Sequence, residues 1–131
     1  MSAAGLRGVK PALVTDAEAL TKAPPVPGYL SAQAKAEWRR IIPQLIARRI
    51  ITRGDLAGVE AYCTAAGAVR QIEEQRTAAG GDLDPKLAGL QIRYMQTARQ
   101  LASEYGLTPT SRARIGSTVP GDFDDDDPLA V

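Results

Sequence analysis

Apolar side chains in this chain recur at intervals of three and four residues, and no strand-like alternation competes with that period. Behind Ser31, whose hydroxyl suits a helix N-cap, Ala34, Trp38, Ile41, Ile42, Leu45 and Ile46 fall on one helical face. Pro43 lies inside that run. It removes a backbone donor and crowds the preceding turn, so it predicts a kink in this helix or its division into two short pieces. A boundary follows at Ile51-Thr52. Thr52 with Asp55 three residues on is a cap signal for a second helix, and Gly54 moves the expected start slightly later. From there to about Ala78, Leu56, Val59, Tyr62, Cys63, Ala66, Val69 and Ile72 repeat at helical spacing. Ala57, Gly58, Ala61, Ala65, Gly67 and Ala68 make this helix thin. Internal glycines cost roughly 1 kcal/mol each against alanine. Either the segment is a modest helix former, or another helix approaches so closely that only small side chains fit.

The stretch AGGDLDP breaks the pattern, and Asp84 as N-cap with Pro85 in the first helical position starts a third helix. Leu87, Leu90, Tyr94, Ala98, Leu101 and Tyr105 follow at spacings of 3, 4, 4, 3 and 4, and Gly106 supplies a left-handed stop. Ile92 and Met95 widen the stripe beyond what one partner helix covers. The second and third helices, joined by a short turn, form a long antiparallel hairpin. After Gly106, Leu107 folds back, and Thr108 caps a short helix beginning at Pro109. That turn exposes Arg112 and Arg114 while Ile115 packs. The expected fold is all-α: a kinked N-terminal helix, the hairpin and a short C-terminal helix, flanked by flexible tails. Residues 1–28, with Pro11, Pro24, Pro25 and Pro27, read as a flexible arm; residues 29–116 form the helical domain; residues 117–131 form an acidic tail. So small a domain buries limited surface alone and gains stability by association.

Composition narrows the chemistry. There is no histidine, which removes the usual general base and the commonest metal ligand. One cysteine, Cys63, makes neither an internal disulfide nor a cysteine-built zinc site. No glycine-rich phosphate loop occurs. Carboxylates remain, but the densest acidic cluster falls in the loose tail, so the expectation is a protein that is not an enzyme and holds no metal or cofactor. No apolar run reaches membrane-spanning length, and the start lacks the apolar core of a signal peptide, which predicts an intracellular protein without membrane contact.

The net charge of +1 is a sum of unlike parts. Residues 122–127, DFDDDD, carry five acids; without them sixteen Lys plus Arg stand against ten Asp plus Glu. Residues 31–54 hold Lys35, Arg39, Arg40, Arg48, Arg49 and Arg53 against Glu37. The basic body and the acidic tail therefore need separate readings.

In order, Trp38 in an amphipathic helix, Ile51-Thr52 leading to Asp55, Tyr62-Cys63 one or two turns later, a helical hairpin and the closing Leu107-Thr108-Pro109-x-Ser111-Arg112 resemble the phage terminase small subunits of the short, all-helical type. The resemblance spans about residues 29–116 and leaves out the arm and the aspartate tail. It implies a non-catalytic subunit of a DNA-packaging motor, working in the host cytoplasm. Such a subunit binds viral double-stranded DNA, assembles into a ring as a homo-oligomer, and delivers the DNA to the large terminase subunit, which holds the ATPase and nuclease.

Residue roles follow on that reading. Arg39 and Arg40 lie outside the Trp38 face, while Arg48, Arg49 and Arg53 cluster at the helix end and the following turn. With Lys35 they are the expected phosphate contacts, against the plainer reading of a solvated basic face. Ile92, Tyr94 and Met95 are the expected oligomer surface, unless the first helix covers them and the protein is a monomer. Arg112 and Arg114 suit DNA, a neighbour's acids or the chain's own aspartates. Phe123, Leu129 and Val131 are apolar anchors in a tail that either docks on the large subunit or only solubilises. Two other classes share these features: a small helical DNA-binding transcriptional regulator, and a helical adaptor with no nucleic-acid role.

Overall fold

A computed structural model describes residues 18–108 and 111–113. Three helices carry it: α1 from Ala32–Ala47, α2 from Leu56–Ala78 and α3 from Pro85–Glu104. A single 3-10 turn, Arg53–Asp55, leads into α2. The expected caps form. Ser31 Oγ accepts from the Ala34 N–H at 3.1 Å, and Asp84 accepts from the Lys86 N–H at 2.9 Å. Thr52 and Asp55 close a capping box, with the Thr52 N–H on the Asp55 carboxylate at 2.8 Å.

Of the two outcomes expected at Pro43, division is not observed, because α1 runs unbroken past it. The reason is a balance of magnitudes. An interior proline costs about 3 kcal/mol. Pro43 lies on the exposed face, while Ile41, Ile42 and Leu45 around it are almost wholly buried, and each such side chain contributes about 1.5–3 kcal/mol on burial. The core outweighs the proline.

α1 and α3 both pack against α2, the second pair as the expected antiparallel hairpin. The thinness of α2 serves those approaches. A Cβ placed on Gly67 would lie 2.7 Å from the Ala34 backbone nitrogen of α1, and one on Gly58 would lie 1.9 Å from the Tyr105 hydroxyl. The core gathers Leu30, Ala34, Trp38, Ile41, Ile42, Leu45, Ile51, Val59, Tyr62, Cys63 and Ala102. The α3 stripe of Leu87, Leu90, Tyr94, Ala98 and Leu101 is only half-buried. Gln91 goes under instead, donating to the Val69 carbonyl at 3.2 Å and to Glu73 at 3.0 Å while accepting from Arg76.

Residues 19–28 depart from the expected loose arm. Ala19 is buried, the Leu20 N–H donates to the Ile51 carbonyl at 2.9 Å, and Leu20 and Val26 pack on the core. Pro24, Pro25 and Pro27 restrict the backbone before folding, so this strap loses less entropy on docking than its composition suggests. The packed body thus begins before residue 29.

All three helices end in one closure, a left-handed residue whose successor donates back to a carbonyl in the last turn. Gly81 donates to Arg76 at 2.8 Å behind α2, Leu107 to Ala102 at 2.9 Å behind α3, and Ile50 to Leu45 at 3.2 Å behind α1. Gly80 and Gly106 take the left-handed position in the first two; Arg49 takes it in the third, at φ 57°.

Candidate nucleic-acid interface

The six cations of residues 31–54 separate into distinct settings. Lys35 and Arg39, one helical turn apart, are neighbours on an outer edge of α1. Arg39 also borders a shallow apolar hollow of about 280 Å³ between α1 and the strap, lined with Trp38, Ile42, Pro43, Pro24 and Val26.

Arg40 is engaged. Its guanidinium pairs with Glu37, with Nε donating at 2.9 Å, and the Tyr62 hydroxyl donates to the same carboxylate. Burial by itself would raise the Glu37 carboxyl, but the hydrogen bonds from Arg40 and Tyr62 outweigh it and hold the group below the usual carboxylate range. Burial, then the Glu37 bond, pushes the Tyr62 hydroxyl up. The neighbouring Cys63 thiol rises to about 12, by burial first and the Glu37 charge second, so it is a packed, unreactive thiol. Arg40 keeps much of its side chain in solvent, yet its charge already has a partner.

Arg48 is also engaged, on backbone rather than acid: its Nη1 donates to the Gly106 carbonyl at 2.9 Å, across 58 residues of sequence. Burial first, and the nearby charge of Arg112 second, lower its pKa. Arg49 and Arg53 are exposed. A residue with a Cβ held left-handed costs roughly 1–2 kcal/mol relative to glycine, so Arg49 stands where the backbone alone would favour glycine.

Arg112 stands on a turn fixed from within. The Ser111 N–H donates to Thr108 Oγ1 at 3.1 Å, and the Thr108 N–H donates to Ser111 Oγ at 3.1 Å. Ser111 is buried, residues 111–113 are helical, and the Arg112 N–H donates to the Thr108 carbonyl at 2.9 Å. This reciprocal cap explains why threonine and serine stand three apart before the arginine. Arg114, Ile115, Phe123, Leu129 and Val131 lie outside the described residues.

On α3, Ile92 is 55% exposed and Met95 51%, while Tyr94 is half-buried. The first helix does not cover the first two. Among the described residues, no cluster of His, Cys, Asp and Glu suits a metal ion, and no helix is long and apolar enough to cross a membrane. Sequence reading missed Glu37 and Gln91 as buried polar centres. For Glu37 a signal existed, since it lies three residues after Ala34 and four before Ile41, inside the apolar stripe.

Comparison with protein families gives one match: a model described as "Phage terminase, small subunit" aligns with residues 34–122, from the first turn of α1 to the first aspartate of the acidic run. No curated protein and no solved structure matches the chain.

Proposed function

The chain belongs to the phage terminase small-subunit family, and from that premise we propose that it is the non-catalytic, DNA-binding subunit of a genome-packaging motor in the host cytoplasm. It assembles into a ring, holds viral double-stranded DNA, and hands that DNA to the large terminase subunit, the ATPase and nuclease. The observation that carries this reading is that the family match runs through the whole helical body, while that body leaves two kinds of surface uncommitted. One is basic: Lys35, Arg39, Arg49 and Arg53 form no ion pair with any described residue. The other is apolar, at Ile92 and Met95.

The charges suit phosphates, since flexible lysine and arginine side chains on a helix flank and a turn can meet the duplex backbone without reading bases. A ring repeats them around its axis, so modest contacts in each subunit sum to a useful grip. Phe123, Leu129 and Val131, set among aspartates, are the proposed anchors for the large subunit. Deleting residues 120–131 should leave assembly and DNA retention intact and abolish stimulation of the large subunit's ATPase.

Light scattering of the purified protein at micromolar concentration tests the assembly, and duplex retention across a salt series tests the DNA role. A closed oligomer larger than a dimer, with retention that weakens steeply with salt, is expected. A dimer selecting one short duplex would instead make the protein a regulator. No salt-dependent retention at all would make it an adaptor.

A further inference from the structure

The corner where α1 and α3 end collects three arginines from two distant parts of the chain. Arg48 is fixed there by its single bond to the Gly106 carbonyl at 2.9 Å, which uses one of five guanidinium donors. Arg49, next in sequence, holds the left-handed position that Gly80 and Gly106 hold behind the other two helices. A side chain is strained where glycine is not, and strain of this kind collects where a residue serves something besides the fold. Two residues beyond Gly106, the Thr108–Ser111 cap sets Arg112 on an exposed turn. The ion pairs among the described residues are Arg40–Glu37 and Arg76–Glu73, so none of the three corner arginines has a carboxylate partner there. Arginines held at one corner, with no carboxylate partner among the described residues, suit an anion.

We propose that Arg48, Arg49 and Arg112 together bind one backbone phosphate of duplex DNA, gripping it between the end of α1 and the capped turn that follows α3. This rests on the DNA-binding reading above and extends it to a bipartite site. Arginine suits the ligand because its planar fork meets phosphate oxygens with two parallel donors. Arg53, exposed in the turn beyond α1, continues the positive tract from this corner, and a duplex presents phosphates at regular intervals along such a tract. The contact carries no base information, so it acts on any sequence. The competing anion is the chain's own aspartate run, residues 122–127.

The test is the full-length chain carrying Arg49→Gly with Arg112→Gln. Arg48 is left in place because its bond to Gly106 belongs to the fold. Thermal unfolding of the variant should occur at or above the wild-type temperature, since glycine relieves the left-handed position and Arg112 is exposed. Anisotropy titrations with two unrelated linear duplexes should show affinity lowered on the order of tenfold at low salt, equally on both. The plot of log K against log salt should become shallower by about 0.9 for each subunit that touches the duplex. Unchanged affinity and slope would overturn the proposal. If Lys35→Gln with Arg39→Gln still weakens binding in that case, the DNA-binding reading survives without this corner; a wild-type protein that retains no duplex at low salt removes both. Tighter binding by the variant, with the gain lost when residues 120–131 are deleted, assigns the corner to the aspartates and likewise overturns it.

Discussion

Glu37 is the one acid in the basic stretch of α1, and counting charges assigns it to the surface. It is 5% exposed and receives hydrogen bonds from Arg40 and Tyr62. Its carboxyl is held low in the folded state, so the folded protein favours the ionised form. That stabilisation is fully present above the unfolded glutamate pKa of about 4.3, and it is lost as pH falls through the lower folded value. Urea unfolding measured from pH 6 to pH 3 should therefore show stability dropping in the wild type and a flatter profile for Glu37→Gln. Parallel profiles would mean that the pair is not coupled to folding. At neutral pH the same substitution should cost about 1–3 kcal/mol, because a charge-assisted acceptor for two donors becomes a neutral one. On the proposed DNA-binding role, Arg40 reaches outward with its charge already matched, unlike Arg39 one residue before it, which forms no ion pair with any described residue.

At the scale of elements, the glycines and caps decide how helices meet. Gly67 faces the Ala34 backbone at a distance no methyl fits, whereas Gly89, in α3, would place a Cβ in open space. Gly67→Ala should therefore destabilise by about 1–3 kcal/mol, the usual cost of overpacking, while Gly89→Ala should stabilise by about 0.5–1 kcal/mol through backbone entropy alone. Chemical denaturation of the two variants side by side checks the contrast, and equal shifts would deny that α1 and α2 meet backbone to backbone. Gly58 is a softer case, since its neighbour is the far end of the Tyr105 side chain, which can swing. Thr108 is the cap that orients Arg112. Thr108→Ala should cost about 1 kcal/mol and leave the buried Ser111 N–H without its acceptor, seen as a lower thermal midpoint with unchanged helix content. The hairpin, its turn and its start at Asp84-Pro85 were legible from spacing and cap residues. The continuity of α1 through Pro43 was not, because it depends on how deeply Ile41, Ile42 and Leu45 are buried.

Across the whole molecule, α3 covers one side of α2 and leaves Ile92 and Met95 facing outward. If the proposed ring forms through this face, Ile92→Asp with Met95→Asp should lower the mass in light scattering to that of a monomer, with far-ultraviolet circular dichroism unchanged because neither residue belongs to the core. An unaltered assembly would move the subunit contact to another face. The strap of residues 19–28 shows the limit of composition at this scale: a proline-rich, polar stretch reads as loose until Ile51 and the α1 surface offer it a place. By itself, the order of residues determined three helices, their N-caps and the stop at Gly106, since each of those signals acts within about one turn of backbone; the closure of α1 at Arg49 carries no such signal. It also carried the family's ordered features, from Trp38 to the Thr108–Ser111 pair. Spacing alone offers the two ion pairs, Glu37–Arg40 and Glu73–Arg76, each three residues apart on a helix; tertiary structure alone decided the distant partners. Tyr62 meets Glu37 across 25 residues and Arg48 meets Gly106 across 58, and no local rule sees a partner that only folding brings within hydrogen-bond reach.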